Sequence, residues 1–309
     1  MQIVSVINYK GGVGKTSLTA NLAAELAFRG KRVLMLDLDA QASLTFSFIR
    51  PDEWETKYGA SGTIKSWFDS FETGKARPLT SLIHTPAAIK ARLNGKGKLD
   101  AIYSHLGLIN VDLELATQLG GANLAQAKKN FIAVHKRLSD GLAAVAAEDR
   151  YDLVLIDCPP NFNIVTKTAI VASDYILVPT RPDELSTLGI DYLMRSINGL
   201  IKDYNDFATL DQGAKENPIS PEILGVVFTM IQEYDGRPVS AQNAYISKVK
   251  ASSGLPVFDA YIKRNETLFA EAPLYGVPVV LNGYSNNSHQ SVVDGLEEVT
   301  TEFSKMLGL

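Results

Sequence analysis

The chain has 309 residues, of which 46% are hydrophobic and 21% are charged, as expected for a globular protein with a sizeable buried core. Its net charge of -4 excludes a protein that is basic overall, so a nucleic-acid contact would need a local basic patch. Cys158 is the only cysteine, which excludes an intramolecular disulfide and a multi-cysteine cluster within one chain. Because no apolar run approaches the roughly 20 residues of a membrane span, we expect a cytoplasmic protein without a membrane partner.

Apolar runs alternate with helical segments along much of the chain, a pattern typical of a parallel sheet covered by helices. Leu18, Leu22 and Leu26 recur at four-residue spacing and predict a helix over 15–29, which Gly30 ends. Buried strands are predicted at residues 2–7, 32–37, 151–157, 174–179, 222–230 and 277–281. The sequence therefore predicts an α/β fold with a doubly wound, mostly parallel sheet and helices on both faces.

The middle of the chain is less regular. Both tryptophans, the NGKGK run at 94–98 and the QLGGAN run at 118–123 favour turns and short elements there. We interpret residues 44–123, approximately, as an elaboration on one domain that spans residues 1–309. An alanine-rich helix is predicted to follow over about 124–147.

The segment NYKGGVGKTS, residues 8–17, lies between the first predicted strand and the first predicted helix. Its glycines allow the backbone to curl so that consecutive N–H groups point at anionic oxygens, and the helix N-terminus adds partial positive charge. Lys15 would reach the terminal phosphates of a nucleotide, and the Thr16 hydroxyl would bind Mg²⁺. The segment is thus a predicted phosphate-binding loop, although Tyr9 stands where the plain motif begins with a glycine and Lys10 follows it. Its predicted nucleotide-binding residues are Lys10, Gly11, Gly12, Val13, Gly14, Lys15, Thr16 and Ser17.

Aspartates close two of the predicted strands. Asp157 ends an apolar strand and precedes CPPN, the pattern of a Walker B carboxylate that orients the water shell of Mg²⁺. Asp37 and Asp39 in DLDAQ, residues 37–41, are expected to point to the same side of a strand while Leu38 points away. One of the two would lie close enough to the phosphates to orient an attacking water. Strand-end aspartates also serve as caps and turn residues, and this alternative remains for the pair taken alone.

KGGVGKTS, DLDAQ and LVLIDCPP resemble the three nucleotide motifs of the ParA/MinD group of deviant Walker-A ATPases. The resemblance implies a P-loop fold that hydrolyses ATP with Mg²⁺, with Lys10, Lys15 and Asp39 as catalytic residues and Thr16, Asp39 and Asp157 around the metal. It also implies that Lys10 crosses a homodimer interface and contacts the partner's phosphates. Ala40 replaces the proline that commonly follows the second aspartate in that family.

Two later blocks, GVVFTMIQEYDGR and IKRNETLFAEAPLYGVPV, resemble the ParA branch of this family. The resemblance implies that Arg264 and Asn265 lie near the nucleobase, with Lys263 where a proline often stands. It further implies an ATP-bound dimer that holds nonspecific DNA on the nucleoid. A ParB-like partner would then stimulate hydrolysis, and the cycle would segregate a plasmid or a chromosome. Arg237, Lys248, Lys250 and Lys263 are the predicted DNA-binding residues, with ordinary solubilising cations as the alternative.

Alternative functions remain for a chain with these motifs. A MinD-like or ParA-like ATPase could position a protein or a membrane-associated cargo, but the C-terminal segment is acidic, with Glu297, Glu298 and Glu302. The iron–sulfur reductase branch needs two cysteines per chain, whereas Cys158 is expected to be a small buried residue. An ATP-dependent ligase would need a substrate pocket that the sequence does not show. No helix-turn-helix is expected ahead of the first strand, which argues against operator binding through such an extension.

Overall fold

A central sheet of six parallel strands organises the fold. The computed structural model describes residues 1–72, 74, 76–209 and 217–309. Across the sheet the strands lie in the order β3-β2-β4-β1-β5-β6. Their bounds are β1 Gln2–Val6, β2 Arg32–Asp37, β3 Lys98–Ile102, β4 Leu153–Asp157, β5 Tyr175–Thr180 and β6 Glu222–Phe228. A separate antiparallel hairpin pairs β7 Glu233–Tyr234 with β8 Arg237–Pro238.

Helices cover both faces of the sheet. They are α1 Lys15–Phe28, α2 Ser43–Phe46, α3 Pro51–Lys57, α4 Ile64–Glu72, α5 Ala87–Leu93, α6 Leu108–Gln118, α7 Leu124–His135, α8 Arg137–Ala147, α9 Ile164–Ala172, α10 Glu184–Ala208, α11 Ser240–Ser252, α12 Glu266–Tyr275 and α13 Asn287–Leu307. Short 3-10 turns occupy Leu79–Leu82 and Val279–Leu281. Among the helices of the described residues, none is both long and apolar enough to cross a lipid bilayer.

Strand alternation divides the buried side chains into two cores. In β2, Leu34 and Leu36 join the core beneath α4 and α6–α10, whereas Val33 and Met35 join the core beneath α1, α5, α12 and α13. Because the sheet is buried on both sides, its strands are continuous apolar runs. This arrangement confirms the predicted doubly wound α/β fold.

The strand order determines which loops meet. β1 lies between β4 and β5, and β2 lies on the other side of β4. In the register of β2 with β4, Asp37 pairs with Asp157, so both carboxylates emerge at the carboxyl edge of the sheet. The loop after β1 emerges at this same edge, where ligands bind in open parallel sheets.

The structure corrects two predicted elements, a strand and a helix. The run at 277–281 is not a strand and ends in a 3-10 turn, and the sixth strand is instead Lys98–Ile102, within the segment interpreted as an elaboration. A hydrophobic run of five residues packs equally well as a buried turn, so its composition does not identify a strand. The helix predicted over 124–147 is two helices separated at Lys136. The middle of the chain otherwise consists of short helices, as its turn-rich composition indicates.

Candidate nucleotide-binding site

The loop between β1 and α1 forms an open cradle. Gly12 and Gly14 adopt φ angles of 69° and 80°, which favour glycine. A Cβ at Gly12 would meet no atom within 4 Å, so open space adjoins the loop at this position. Thr229, which follows β6, donates a hydrogen bond of 2.8 Å to the carbonyl of Val13 and braces the loop from behind. The backbone N–H groups at the start of α1 complete the cradle.

Lys15 lies over this loop. Its side chain is buried, and its Nζ donates to the carbonyls of Asn8 at 3.2 Å and Lys10 at 3.3 Å. Burial lowers the pKa of Lys15, while the nearby carboxylates of Asp157 and Asp39 act in the opposite direction. A buried ammonium group that bonds to loop carbonyls is well suited to exchange them for phosphate oxygens.

Thr16 and Asp157 form the pair expected around Mg²⁺. The Thr16 hydroxyl donates to Oδ2 of Asp157 at 2.7 Å. Oδ1 of Asp157 is buried and has no hydrogen-bond partner among the described residues. Burial, followed by the charge of Asp37, raises the pKa of Asp157 well above its usual range. An unpaired oxygen on a buried carboxylate fits a hydrated cation, which would supply the missing charge and hydrogen bonds.

Asp37 and Asp39 have different environments. Asp37 is buried and accepts hydrogen bonds from the Thr45 amide and hydroxyl at 2.7 Å each, and from the Asp39 amide at 3.1 Å. Burial raises the pKa of Asp37 to about 7. Asp39 follows the end of β2 in a turn, is only partly buried, and accepts from the Gln41 amide at 2.9 Å. Asp37 therefore shapes the turn, and Asp39 presents the more accessible carboxylate.

Lys10 and Tyr9 attach the loop to α10. The Lys10 ammonium lies 2.9 and 3.0 Å from the two carboxylate oxygens of Asp183 and 3.0 Å from the Ser186 hydroxyl. The Tyr9 ring lies 5.7 Å from Phe162 and 5.3 Å from Tyr192, measured between centroids. Tyr9, which replaces the first glycine of the plain motif, thus contacts α10 and the loop after β4 through its aromatic ring.

A cavity of about 280 Å³ adjoins the cradle. Gly14 and Ser17 line its phosphate-loop side, and Met230 and Phe269 contribute apolar surface. Arg264 and Asn265 also line the cavity, so the structure places both beside the phosphate loop. Arg264 is paired with Glu266, and the Asn265 side chain caps α12 by accepting from the Leu268 amide at 3.0 Å. The size and lining of the cavity suit a flat heteroaromatic base.

The four predicted DNA-binding cations differ in their exposure and in their partners. Arg237 is exposed on the β7–β8 hairpin, and Lys248 is exposed on α11. Lys250 lies 2.5 Å from the carboxylate of Asp259. Lys263 is partly buried and bonds to Glu233 at 2.9 Å and to the Ser291 hydroxyl at 2.6 Å.

Sequence reasoning missed three residues that shape the site, namely Thr45, Asp183 and Thr229. Asp183 caps α10 by accepting from the Ser186 amide at 2.9 Å. The run Pro-Asp-Glu after a buried strand is a helix-start signal that identifies such a cap, but not its contact with Lys10. Thr45 bonds to Asp37, 8 positions away in the sequence, and Thr229 bonds to Val13, 216 positions away. Neither threonine lies in a local sequence motif that would predict its contact.

The fold and the site define a P-loop nucleotide-binding protein. The model of a family described as "AAA domain" matches residues 1–210 of the chain. The chain is also 33% identical over 283 residues to the chromosome partitioning protein ParA of Caulobacter vibrioides, a match that covers 91% of this chain and 87% of that protein. The chain therefore belongs to the ParA-type partition ATPases of the ParA/MinD family.

Solved structures share the fold. A complex of a Cyanothece McdA variant with ATP superposes with a TM-score of 0.70 and 19% identity, over 100% of this chain and 97% of that one. Cobyrinic acid a,c-diamide synthase of Mycobacterium smegmatis, with an ATP analogue and magnesium, gives a TM-score of 0.67 and 22% identity, over 97% and 93% of the two chains. Two proteins of this fold thus bind ATP or an ATP analogue, one of them together with magnesium.

Proposed function

We propose that the chain hydrolyses ATP with Mg²⁺ and that its ATP-bound form is a sandwich homodimer that holds nonspecific DNA. A ParB-like partner would stimulate hydrolysis and release the dimer, so that the cycle segregates a plasmid or a chromosome in the cytoplasm. The observation that carries this proposal is the position of Lys10. Its ammonium is on the α10 side of the loop, whereas Lys15 already lies over the cradle of its own chain.

Phosphate binding follows from the cradle. The loop amides and Lys15 would bind the anionic oxygens, and the lysine would exchange its two carbonyl partners for them. Thr16 and Asp157 would hold Mg²⁺, which when bound neutralises charge on the phosphates. Val13 in the loop and Ser17 in the first turn of α1 would contribute backbone amides to the same cradle. Arg264, Asn265 and Phe269 would enclose the base in the adjoining cavity.

Hydrolysis would depend on Asp39. Its partly buried carboxylate stands at the same sheet edge as the cradle, where it can orient a water for attack in line with the leaving group. Asp37 is less suited to this role because three protein donors already occupy its oxygens. Asp37 would hold the turn, and Asp39 would position the water.

The surface around the loop supports self-association. Large apolar side chains are exposed on the elements that begin at the carboxyl edge of the sheet. They include Leu106 and Ile109 at the start of α6, Leu185 and Leu188 at the start of α10, and Tyr234 on the hairpin after β6. Exposed apolar groups that surround a binding site are typical of interaction surfaces. Two bound nucleotides between two chains would place phosphates at this surface, and a lysine from each chain would offset their charge.

DNA binding would use Arg237, Lys248, Lys250 and Lys263. Contacts of such cations with phosphates are independent of sequence and sensitive to salt. A dimer doubles the number of these cations and raises the effective concentration at the second half. Nucleotide control of assembly would thereby control DNA affinity.

One observation favours a second candidate function. Lys250, Lys263 and Arg264 each pair with a carboxylate of the same chain, which reduces the positive potential available to DNA. A ParA-like or MinD-like ATPase that positions a protein or membrane-associated cargo would need no DNA surface.

A fluorescence-anisotropy titration separates the two candidates. Labelled duplex DNA of arbitrary sequence is titrated with the chain in the presence of a slowly hydrolysed ATP analogue, ADP or no nucleotide. We expect binding with the ATP analogue alone, and a steep loss of affinity between about 50 and 200 mM salt. Equal binding in all three states, or none at low salt with the analogue, would reject the DNA-carrier function and favour the second candidate.

A further inference from the structure

The Lys10 side chain is already engaged within its own chain. Its ammonium bonds to both carboxylate oxygens of Asp183 at 2.9 and 3.0 Å and to the Ser186 hydroxyl at 3.0 Å. These three acceptors match the three N–H donors of a lysine ammonium. A lysine in this position must break all three contacts before it can reach a phosphate on another chain.

Asp183 is able to release Lys10 at low cost. Oδ1 of Asp183 also accepts a hydrogen bond from the Ser186 amide at 2.9 Å, which caps α10. Arg181 lies 3.7 Å from Oδ2 of the same carboxylate. If Lys10 leaves, the carboxylate keeps its backbone donor and a neighbouring cation, so α10 need not move.

The carboxylate is charged at neutral pH. Partial burial alone would raise the pKa of Asp183, but hydrogen bonds from Lys10 and from the Ser186 amide and hydroxyl outweigh it and hold this pKa below its ordinary value. An ionised Asp183 therefore competes electrostatically with any other anion for the same ammonium. The phosphates of a bound nucleotide carry more negative charge than one carboxylate, so they would displace Asp183 from the Lys10 ammonium.

We propose that Asp183 is a positioning residue that holds Lys10 within its own chain until a nucleotide-loaded partner displaces it. The inference rests on the proposed dimer and adds a regulation to it. Asp183 sets how readily the ATP-bound chains associate, and it keeps the Lys10 ammonium partnered in the monomer. Removal of the negative charge should leave Lys10 available and make the ATP-dependent dimer tighter.

The expected effect is moderate because the pair is partly exposed, with 34% and 37% of the two side chains accessible. Ion pairs of this kind contribute little, and a gain of about two- to fivefold in the association constant of the dimer is expected when the competing carboxylate is neutralised. A larger gain would require a buried pair.

Asp183→Asn is the test variant, because asparagine caps helices as well as aspartate but carries no charge. Asp183→Ser, another capping residue, is the second variant. Asp191→Asn is the matched control, since Asp191 is exposed on the same helix. The dimer dissociation constant is measured by sedimentation velocity with a slowly hydrolysed ATP analogue, and thermal unfolding verifies that the cap is retained.

The expected result is a tighter dimer for Asp183→Asn and Asp183→Ser and no change for Asp191→Asn. In a chain that also carries Lys10→Ala, Asp183→Asn should not tighten the dimer. A dimer that is unchanged or weaker in both Asp183 variants, while Lys10→Ala fails to dimerise, would overturn the inference and leave the proposed dimer intact. If Lys10→Ala dimerises like the wild type, the proposed role of Lys10 fails first.

Discussion

Two regions differ in how their predicted residues are held. The phosphate-loop edge carries the loop of residues 8–17 with Asp39 and Asp157, and the C-terminal basic surface carries Arg237, Lys248, Lys250 and Lys263. At the edge, residues distant in sequence are directly bonded, as in the 2.7 Å contact of Thr16 with Asp157. On the C-terminal surface, Lys250 bonds to Asp259 and Lys263 to Glu233, and neither cation contacts another predicted DNA-binding residue in the bonds that the structure shows.

The difference reflects what one chain can supply. Parallel strands bring their carboxyl ends together whatever lies between them in sequence, so the phosphate loop, Thr16 and Asp157 meet within one chain. A surface for DNA phosphates needs many cations at once, and a single chain of net charge -4 supplies few. We therefore expect variants of Lys15 and Asp39 to act on each chain, whereas variants of Lys10 and of the basic surface act through the dimer.

Asp39→Ala should have the largest effect. Loss of the water-orienting carboxylate should slow ATP turnover by about a hundredfold or more, while ATP still binds. The variant should accumulate as an ATP-bound dimer. Phosphate release in multiple turnovers, together with nucleotide affinity by calorimetry, checks both parts. Asp52→Ala, which removes an exposed carboxylate from α3, serves as the control. Wild-type turnover in Asp39→Ala would assign the water to Asp37 or to another group.

Lys15→Ala should weaken ATP binding by about ten- to a hundredfold, because a buried charged donor to the phosphates is lost. Calorimetric titration with ATP and Mg²⁺ measures this change. Lys129→Ala, at an exposed position of α7, should bind ATP like the wild type. Retention of full affinity in Lys15→Ala would contradict the assignment of the phosphate loop.

Most of the fold could be predicted because its signals are local. Five of the six predicted strands are present, as their apolar runs end in aspartates, turns or helix starts. β3 was not predicted because its apolar run is short and contains Asp100. The carboxylate of Asp100 can be buried because it accepts hydrogen bonds from Tyr151 and Thr85 and pairs with Lys98. Contacts over such separations are not encoded in any window of sequence.

The same distinction holds at the site. Gly12, Gly14, Lys15 and Thr16 form a motif whose spacing carries its geometry, and the structure places them as that spacing requires. Asp183 lies 173 positions from Lys10, and only the adjacency of β1 and β5 brings the two together. Sequence spacing therefore predicts the cradle but not the contact that holds its second lysine.

Replacement of both Lys248 and Lys250 by alanine tests the basic surface. Up to four phosphate contacts would be lost per dimer, so the slope of log affinity against log salt should become shallower by about 2 to 4. ATP turnover without DNA should be unchanged. The control is Lys57→Ala with Lys129→Ala, which removes the same charge from α3 and α7. An unchanged slope would place the DNA surface elsewhere or remove it.

His135 lies outside both regions and gives the smallest expected effect, on stability alone. Burial lowers the pKa of its imidazole to about 4, so the folded chain binds this proton less readily than the unfolded chain, whose pKa is about 6.5. Its contribution is therefore present above pH 6.5 and is lost as the pH falls towards 4. Between pH 7 and pH 5 the wild type should lose about 2 kcal/mol more unfolding free energy than His135→Gln.

Chemical denaturation at the two pH values measures this difference. The comparison with His135→Gln cancels other titrating groups such as Asp37, whose raised pKa has the opposite effect. Equal losses of unfolding free energy in the wild type and in His135→Gln would show that protonation of His135 does not destabilise the fold. Nucleotide binding at pH 7 should be the same in both, because His135 bonds to Phe131 on its own helix and to no residue assigned to the nucleotide site in the bonds that the structure shows.

The proposed nucleotide-dependent dimer is tested by sedimentation velocity of Lys10→Ala with a slowly hydrolysed ATP analogue. We expect that the variant binds the analogue, because Lys15 and the loop amides remain, yet sediments as a monomer at concentrations where the wild type is a dimer. Lys31→Ala, which removes a lysine before β2, should dimerise like the wild type. A Lys10→Ala chain that dimerises normally with the analogue would contradict the account.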